Sequence, residues 1–256
     1  MVLCLAASGC AATSGKTRQV PLPIGDQQER SLGARLSASV EAQTPLATDK
    51  TVKEYVNSLG QRIARLCDRP DIPYTFRVLT VEGEPHSFSL PGGYVYVTTG
   101  LLLGIDTECQ LAGILAHEVG HIVAHDGTTL LGEEMTDAEL AVILRGGPPD
   151  SASAAIGKAL ATLRVGFGRD QERAADTRGL LYCARVGLNP AGMIQAMEKF
   201  QSGTPSGDQF WEPLAGNQPP MAERIAGLKQ ELASMGLDAG LPSDRQPYAK
   251  IRARLP

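Results

Sequence analysis

LAGILAHEVGHIVAHD, residues 111–126, is the stretch from which the rest of the chain can be read. Thr107 and Gln110 ahead of it have capping-box spacing and predict a helix through the whole run. On a helix, residues four apart lie on one face, about one turn apart. His117 and His121 can therefore point at one ion, with ring nitrogens about 2.0–2.1 Å from a zinc. Glu118 is rotated away from that line yet lies beside it, in reach of a water at the metal rather than of the metal itself. This is the placement of a general base. The flanks are strongly apolar. Two imidazoles and a carboxylate in such a helix are costly to bury without partners, and a metal removes that cost.

A catalytic zinc takes three protein ligands and keeps one position open. A third histidine ten residues after the first would complete one common pattern, but that position is Gly127. His125 lies one turn beyond His121 and too far from His117 to share its ion comfortably, so it reads as a supporting or surface histidine. The third ligand is then sought on a later helix. ERAAD, residues 172–176, fits: Glu172 can ligate while Asp176, one turn on, accepts the outer N–H of a ligand histidine. Spacing alone leaves Glu133, Glu134 and Glu139 open, although they sit in a polar run.

Working outward, Val52, Tyr55, Val56, Leu59, Ile63 and Leu66 follow the helical period. Residues 74–80, 87–90 and 94–99 read as three strands, with Gly92-Gly93 as a turn signal before the last. Thr136 and Glu139 form a second capping box, and Gly146-Gly147-Pro148-Pro149 closes the helix it opens. Helices are expected at 151–165, from Gly168 to Gly187, at 190–201 and at 221–235. The fold class is α+β: a mainly helical domain, residues 31–236, with a small sheet beside the histidine helix, and a tail over 237–256. The strand Tyr94, Val95, Tyr96, Val97 is expected to offer an edge on which an extended peptide could add.

The chain has 256 residues, 43% hydrophobic and 20% charged, an ordinary globular balance. A net charge of −4 argues against a nucleic-acid partner, which needs clustered Lys and Arg. No run approaches the roughly 18–20 apolar residues of a membrane span. MVLCLAASGCAA, residues 1–12, reads as the back half of a secretory leader. Its LAASGC resembles a lipobox with Cys10 as the lipidated residue, followed by a Ser-, Gly-, Pro- and Gln-rich tether over residues 11–30. That implies an envelope lipoprotein facing the periplasm. Cys67, Cys109 and Cys183 are scattered singly, which excludes a cysteine zinc cluster and leaves a disulfide or buried thiols open.

HEVGH and ERAAD, together with YVNSLGQRIA (55–64), LPGGYVYVTTGLL (90–102), RDQERAAD (169–176) and GLNPAGM (187–193), resemble gluzincin peptidase family 48 over about residues 25–235. The likeness is nearest to its short periplasmic lipoprotein members. The resemblance implies a zincin-like fold, one Zn2+ per chain on His117, His121 and Glu172, and Glu118 as catalytic base. It implies an endopeptidase acting on unfolded or misassembled envelope proteins at a membrane reached by the lipid anchor. Three departures stand out. Ala174 replaces a second Glu, and His86-Ser87-Phe88 replaces Asn-Ala-Phe. Gln218 stands where relatives have a His over the metal, which assigns it an oxyanion or gating role. The changes at His86 and Gln218 also motivate an alternative, a catalytically weak binding or chaperone lipoprotein on the same fold.

Overall fold

The computed structural model describes residues 24–203, 220–237 and 240–255. Cys10 and Gln218 lie outside them. The histidine motif sits in α4 (Glu108–Val123), whose residues from Glu108 to Ile122 are all buried. A helix buried on every face must be central, and the other elements wrap it. On one side lies α8 (Arg169–Arg185). A side chain on Gly120 would come within 3.1 Å of the Ala175 Cα, so the absence of one lets the two helices approach closely. That approach carries Glu172 and Asp176 to the histidines. α9 (Gly192–Gly203) and α10 (Met221–Met235) cover α4 and α8.

On the other side, α2 (Lys50–Ala64) and a three-stranded sheet close the core. Asp49 caps α2, its carboxylate accepting from the Val52 N–H at 3.0 Å. The strands are β1 (Thr75–Leu79), β2 (Ser87–Leu90) and β3 (Tyr94–Thr98), in the order β1-β3-β2. β3 is parallel to β1 and antiparallel to β2. Gly92 and Gly93, at φ +77° and +101°, make the turn between β2 and β3, a conformation other residues adopt only under strain.

This order corrects one expectation. Tyr94–Val97 is the central strand, hydrogen-bonded on both sides, so it has no edge to offer. Three strands read in sequence cannot reveal which one lies in the middle. The edge nearer α4 belongs to β2. The Thr98 N–H donates to the His86 carbonyl at 2.9 Å. Alternation along an antiparallel ladder then makes Phe88–Tyr96 and Leu90–Tyr94 the hydrogen-bonded pairs. The backbone N–H and C=O of Ser87 and Ser89 consequently point away from β3.

Two terminal segments fold where the sequence pattern is thin. α1 (Asp26–Gln43) begins inside the stretch expected as a tether and buries Leu32, Leu36 and Val40. Its apolar stripe, one residue every four, is too narrow to stand out. The stretch expected as a tail packs on α4. The Asp244 carboxylate accepts from the Glu108 N–H at 2.5 Å and the Ser243 carbonyl from the Cys109 N–H at 2.8 Å. This strap caps α4 in place of the expected box: the Thr107 side chain makes no capping bond, and Gln110 accepts instead from the Asp106 N–H at 2.6 Å. Tyr248, in the short α11 (Tyr248–Arg252), is fully buried.

The remaining helices are α3 (Thr99–Gly104), α5 (Asp126–Glu134), α6 (Asp137–Arg145) and α7 (Pro149–Arg164). The capping box of Thr136 and Glu139 opens α6 as read from the sequence. Cys67, Cys109 and Cys183 are free and buried. Among the described residues, no helix is long and apolar enough to cross a membrane.

Candidate metal centre

His117 and His121 project from one face of α4 with their Nε2 atoms 3.0 Å apart. Each ring is held from behind by a carboxylate. His117 Nδ1 lies 2.9 Å from Asp176 Oδ1, and His121 Nδ1 lies 2.8 Å from Asp126 Oδ2. A carboxylate at Nδ1 places the ring proton there and turns the Nε2 lone pair outward. Two such lone pairs facing each other at this distance repel unless a cation lies between or beside them. Glu172, from the first turn of α8, aims one carboxylate oxygen at each: Oε2 is 3.6 Å from His117 Nε2 and Oε1 is 3.6 Å from His121 Nε2. Ligand atoms of His117, His121 and Glu172 all lie within 4.8 Å of one another, and all three side chains are buried.

Charge points the same way. Glu118, Asp126, Glu172 and Asp176 are buried carboxylates, while Arg224 is the buried guanidinium beside them. So much negative charge away from water calls for a further cation. Two imidazoles and one carboxylate form the protein donor set of a catalytic zinc. The residues present therefore fit the metal.

Arg224, near the start of α10, was not singled out by the sequence. Its Nε and Nη2 donate to Asp176 at 3.0 and 2.6 Å, and its Nη1 lies 3.1 Å from Glu172 Oε2. It thus fixes Glu172 and the carboxylate behind His117 together. Burial opposes ionisation of Asp176, but Arg224 and His117 outweigh it and hold its carboxyl below the ordinary range. Burial likewise disfavours a charged His121, yet the hydrogen bond with Asp126 and the nearby Glu172 raise its pKa. Asp126 was also missed. It is anchored in turn by Gln171, whose amide donates to Oδ1 at 3.0 Å.

Glu118 is buried beside the histidines, and its Oε1 accepts from the Ser87 hydroxyl at 2.7 Å. His125 takes a left-handed conformation, φ 59°, where α4 ends and α5 begins. It faces α1, with Nδ1 3.2 Å from Glu29, and lies outside the cluster of His117, His121 and Glu172. Glu139 is engaged with Thr136 and Lys158, and Glu134 is exposed. Neither belongs to the cluster.

Comparison with known proteins agrees with this geometry. Residues 50–232 match the model of peptidase family M48. The chain is similar to the beta-barrel assembly-enhancing protease of Escherichia coli (strain K12), 28% identical over 188 residues, which are 70% of this chain and 38% of that protein. It is similar to the mitochondrial metalloendopeptidase OMA1 of Schizosaccharomyces pombe, 28% identical over 182 residues, 70% of this chain and 52% of that protein. A protease HtpX homolog of Desulforapulum autotrophicum is 26% identical over 229 residues, 73% of this chain and 71% of that protein. The chain thus spans well under two thirds of the first two relatives.

Proposed function

The chain belongs to peptidase family M48, whose members are zinc-dependent metalloproteases, and on that premise we propose that it is an endopeptidase that clears unfolded or misassembled proteins of the bacterial envelope. The observation that carries the catalytic part is the pair of Nε2 atoms facing each other beside Glu172, with Glu118 adjoining. Zinc, when bound, withdraws electrons from the scissile carbonyl and acidifies water at the site. Glu118 takes the proton of the attacking water and passes it to the departing amine. Asp126, Asp176 and Arg224 hold the rings and Glu172 still while this happens.

Among the described residues the outer edge of β2 has no strand partner, and this edge is where an extended substrate would lie. Ser87 and Ser89 direct backbone donors and acceptors outward along the side of β2 that packs on α4. Pairing of this kind reads backbone rather than sequence and needs an extended chain, which folded proteins rarely expose. A reduced, carboxymethylated test protein is therefore expected to be cleaved much faster than its folded, disulfide-intact form. Equal rates for the two would remove the preference for unfolded substrates.

The envelope address rests on the small-residue run before Cys10 and on the E. coli relative, named for beta-barrel assembly. Lipidation of Cys10 would place the peptidase on the periplasmic face of the outer membrane. Wild type is then expected in the membrane fraction and Cys10→Ser in the soluble one. Identical fractionation of the two contradicts the anchor.

A further inference from the structure

Ser87 opens β2, the strand packed against the motif helix. Alternation along the strand puts Ser87 and Ser89 on the α4 side and Phe88 on the other, where its ring stacks on Tyr96 at 5.0 Å between centroids. A buried serine facing an apolar helix is expensive unless its hydroxyl has a partner. The partner here is Glu118, at 2.7 Å, and both residues are buried. Bonds to an ionised acceptor in such surroundings are short and about twice as strong as neutral ones. Among the described residues, no other side chain hydrogen-bonds to Glu118.

We infer that Ser87 is a positioning residue for the base: its hydroxyl holds one oxygen of Glu118 and so aims the other at the attacking water. The inference rests on the peptidase reading above. A carboxylate on three side-chain torsions otherwise samples several rotamers, and misplacement of a reacting group by about 1 Å can cost on the order of a hundredfold in rate. Ser87 has a second attribute. The backbone of the same residue points to the open edge, so a substrate strand bonded there presses on the residue that aligns the base. Substrate docking and base alignment then meet in one residue.

The test compares wild type, Ser87→Ala, Ser87→Thr and Glu118→Gln, each with zinc bound, in casein hydrolysis and in crystals. Ser87→Ala is expected to lose about tenfold to a hundredfold in kcat with KM changed less than about twofold. Its zinc content should equal that of wild type, and Glu118 should occupy more than one rotamer in its crystal structure. Ser87→Thr keeps a hydroxyl and should recover most of the rate. An unchanged kcat in Ser87→Ala, a loss confined to KM, or a threonine variant as slow as the alanine one overturns the inference while leaving the peptidase reading intact. A wild type without activity, or Glu118→Gln as active as wild type, overturns that reading and this inference with it.

Discussion

Glu118→Gln is expected to lose about 10²- to 10⁴-fold in the rate of peptide hydrolysis, the usual contribution of a general base, while binding zinc as wild type does. The reason lies in how the motif divides its residues. His117 and His121 turn their Nε2 atoms toward each other and toward Glu172, whereas the Glu118 carboxylate is engaged by Ser87 and is not one of the three clustered ligand groups. Glutamine has nearly the same shape, keeps a carbonyl oxygen for the Ser87 hydroxyl, and cannot take a proton. Folding and metal affinity should therefore be spared and only the chemistry lost. Initial rates on casein measure the effect. Residual activity above a few per cent would assign the base elsewhere.

Glu172→Ala should cost both metal and activity. A site of two histidines leaves too many open positions for a stable catalytic zinc. With a metal bound, the carboxylate would also tie α8 to α4, because its oxygens lie 3.6 Å from both Nε2 atoms. The affinity lost should exceed the roughly 10- to 100-fold expected for Asp176→Ala, which removes the support behind His117 but no ligand. Glu134→Ala, at an exposed position outside the cluster, should bind zinc normally. Zinc titration of the three variants in parallel ranks them. Wild-type affinity in Glu172→Ala together with lost affinity in Glu134→Ala would mean that the third ligand has been misplaced.

The parts of the site legible in the sequence are those written in local spacing. His117, Glu118 and His121 share a helical turn, and Glu172 and Asp176 share another, so the period of the helix exposes them. Asp126 lies five residues after His121, where α4 has already ended, and the left-handed bend at His125 that brings it back has no signature in residue type. Arg224 comes from a helix far along the chain, and one arginine at the start of an amphipathic segment looks like any surface charge. Ser87 could have been noticed: SFSL puts two serines on the face of a strand that must pack against the apolar motif helix.

The same distinction runs through the fold. α2, α6 and α8 have strong periods, caps or glycine stops, and their bounds follow the pattern closely, whereas α4 stops at Val123, short of the Asp126 to which its pattern runs, and is capped by a distant segment rather than by its own box. The order β1-β3-β2 is a matter of pairing partners, which alternation within single strands does not encode. α1 and the segment that caps α4 through Ser243 and Asp244 draw their stability from the core they pack on, so neither carries enough apolar residues to be recognised alone.

The most direct test of the account is the zinc bound per chain by wild type, Glu118→Gln and Glu172→Ala, determined by native mass spectrometry on the preparations used for casein hydrolysis. The account predicts a single zinc and activity in wild type, a single zinc without activity in Glu118→Gln, and loss of both in Glu172→Ala. A Glu118→Gln protein that has lost its zinc, or a Glu172→Ala protein that keeps zinc and activity, would contradict it.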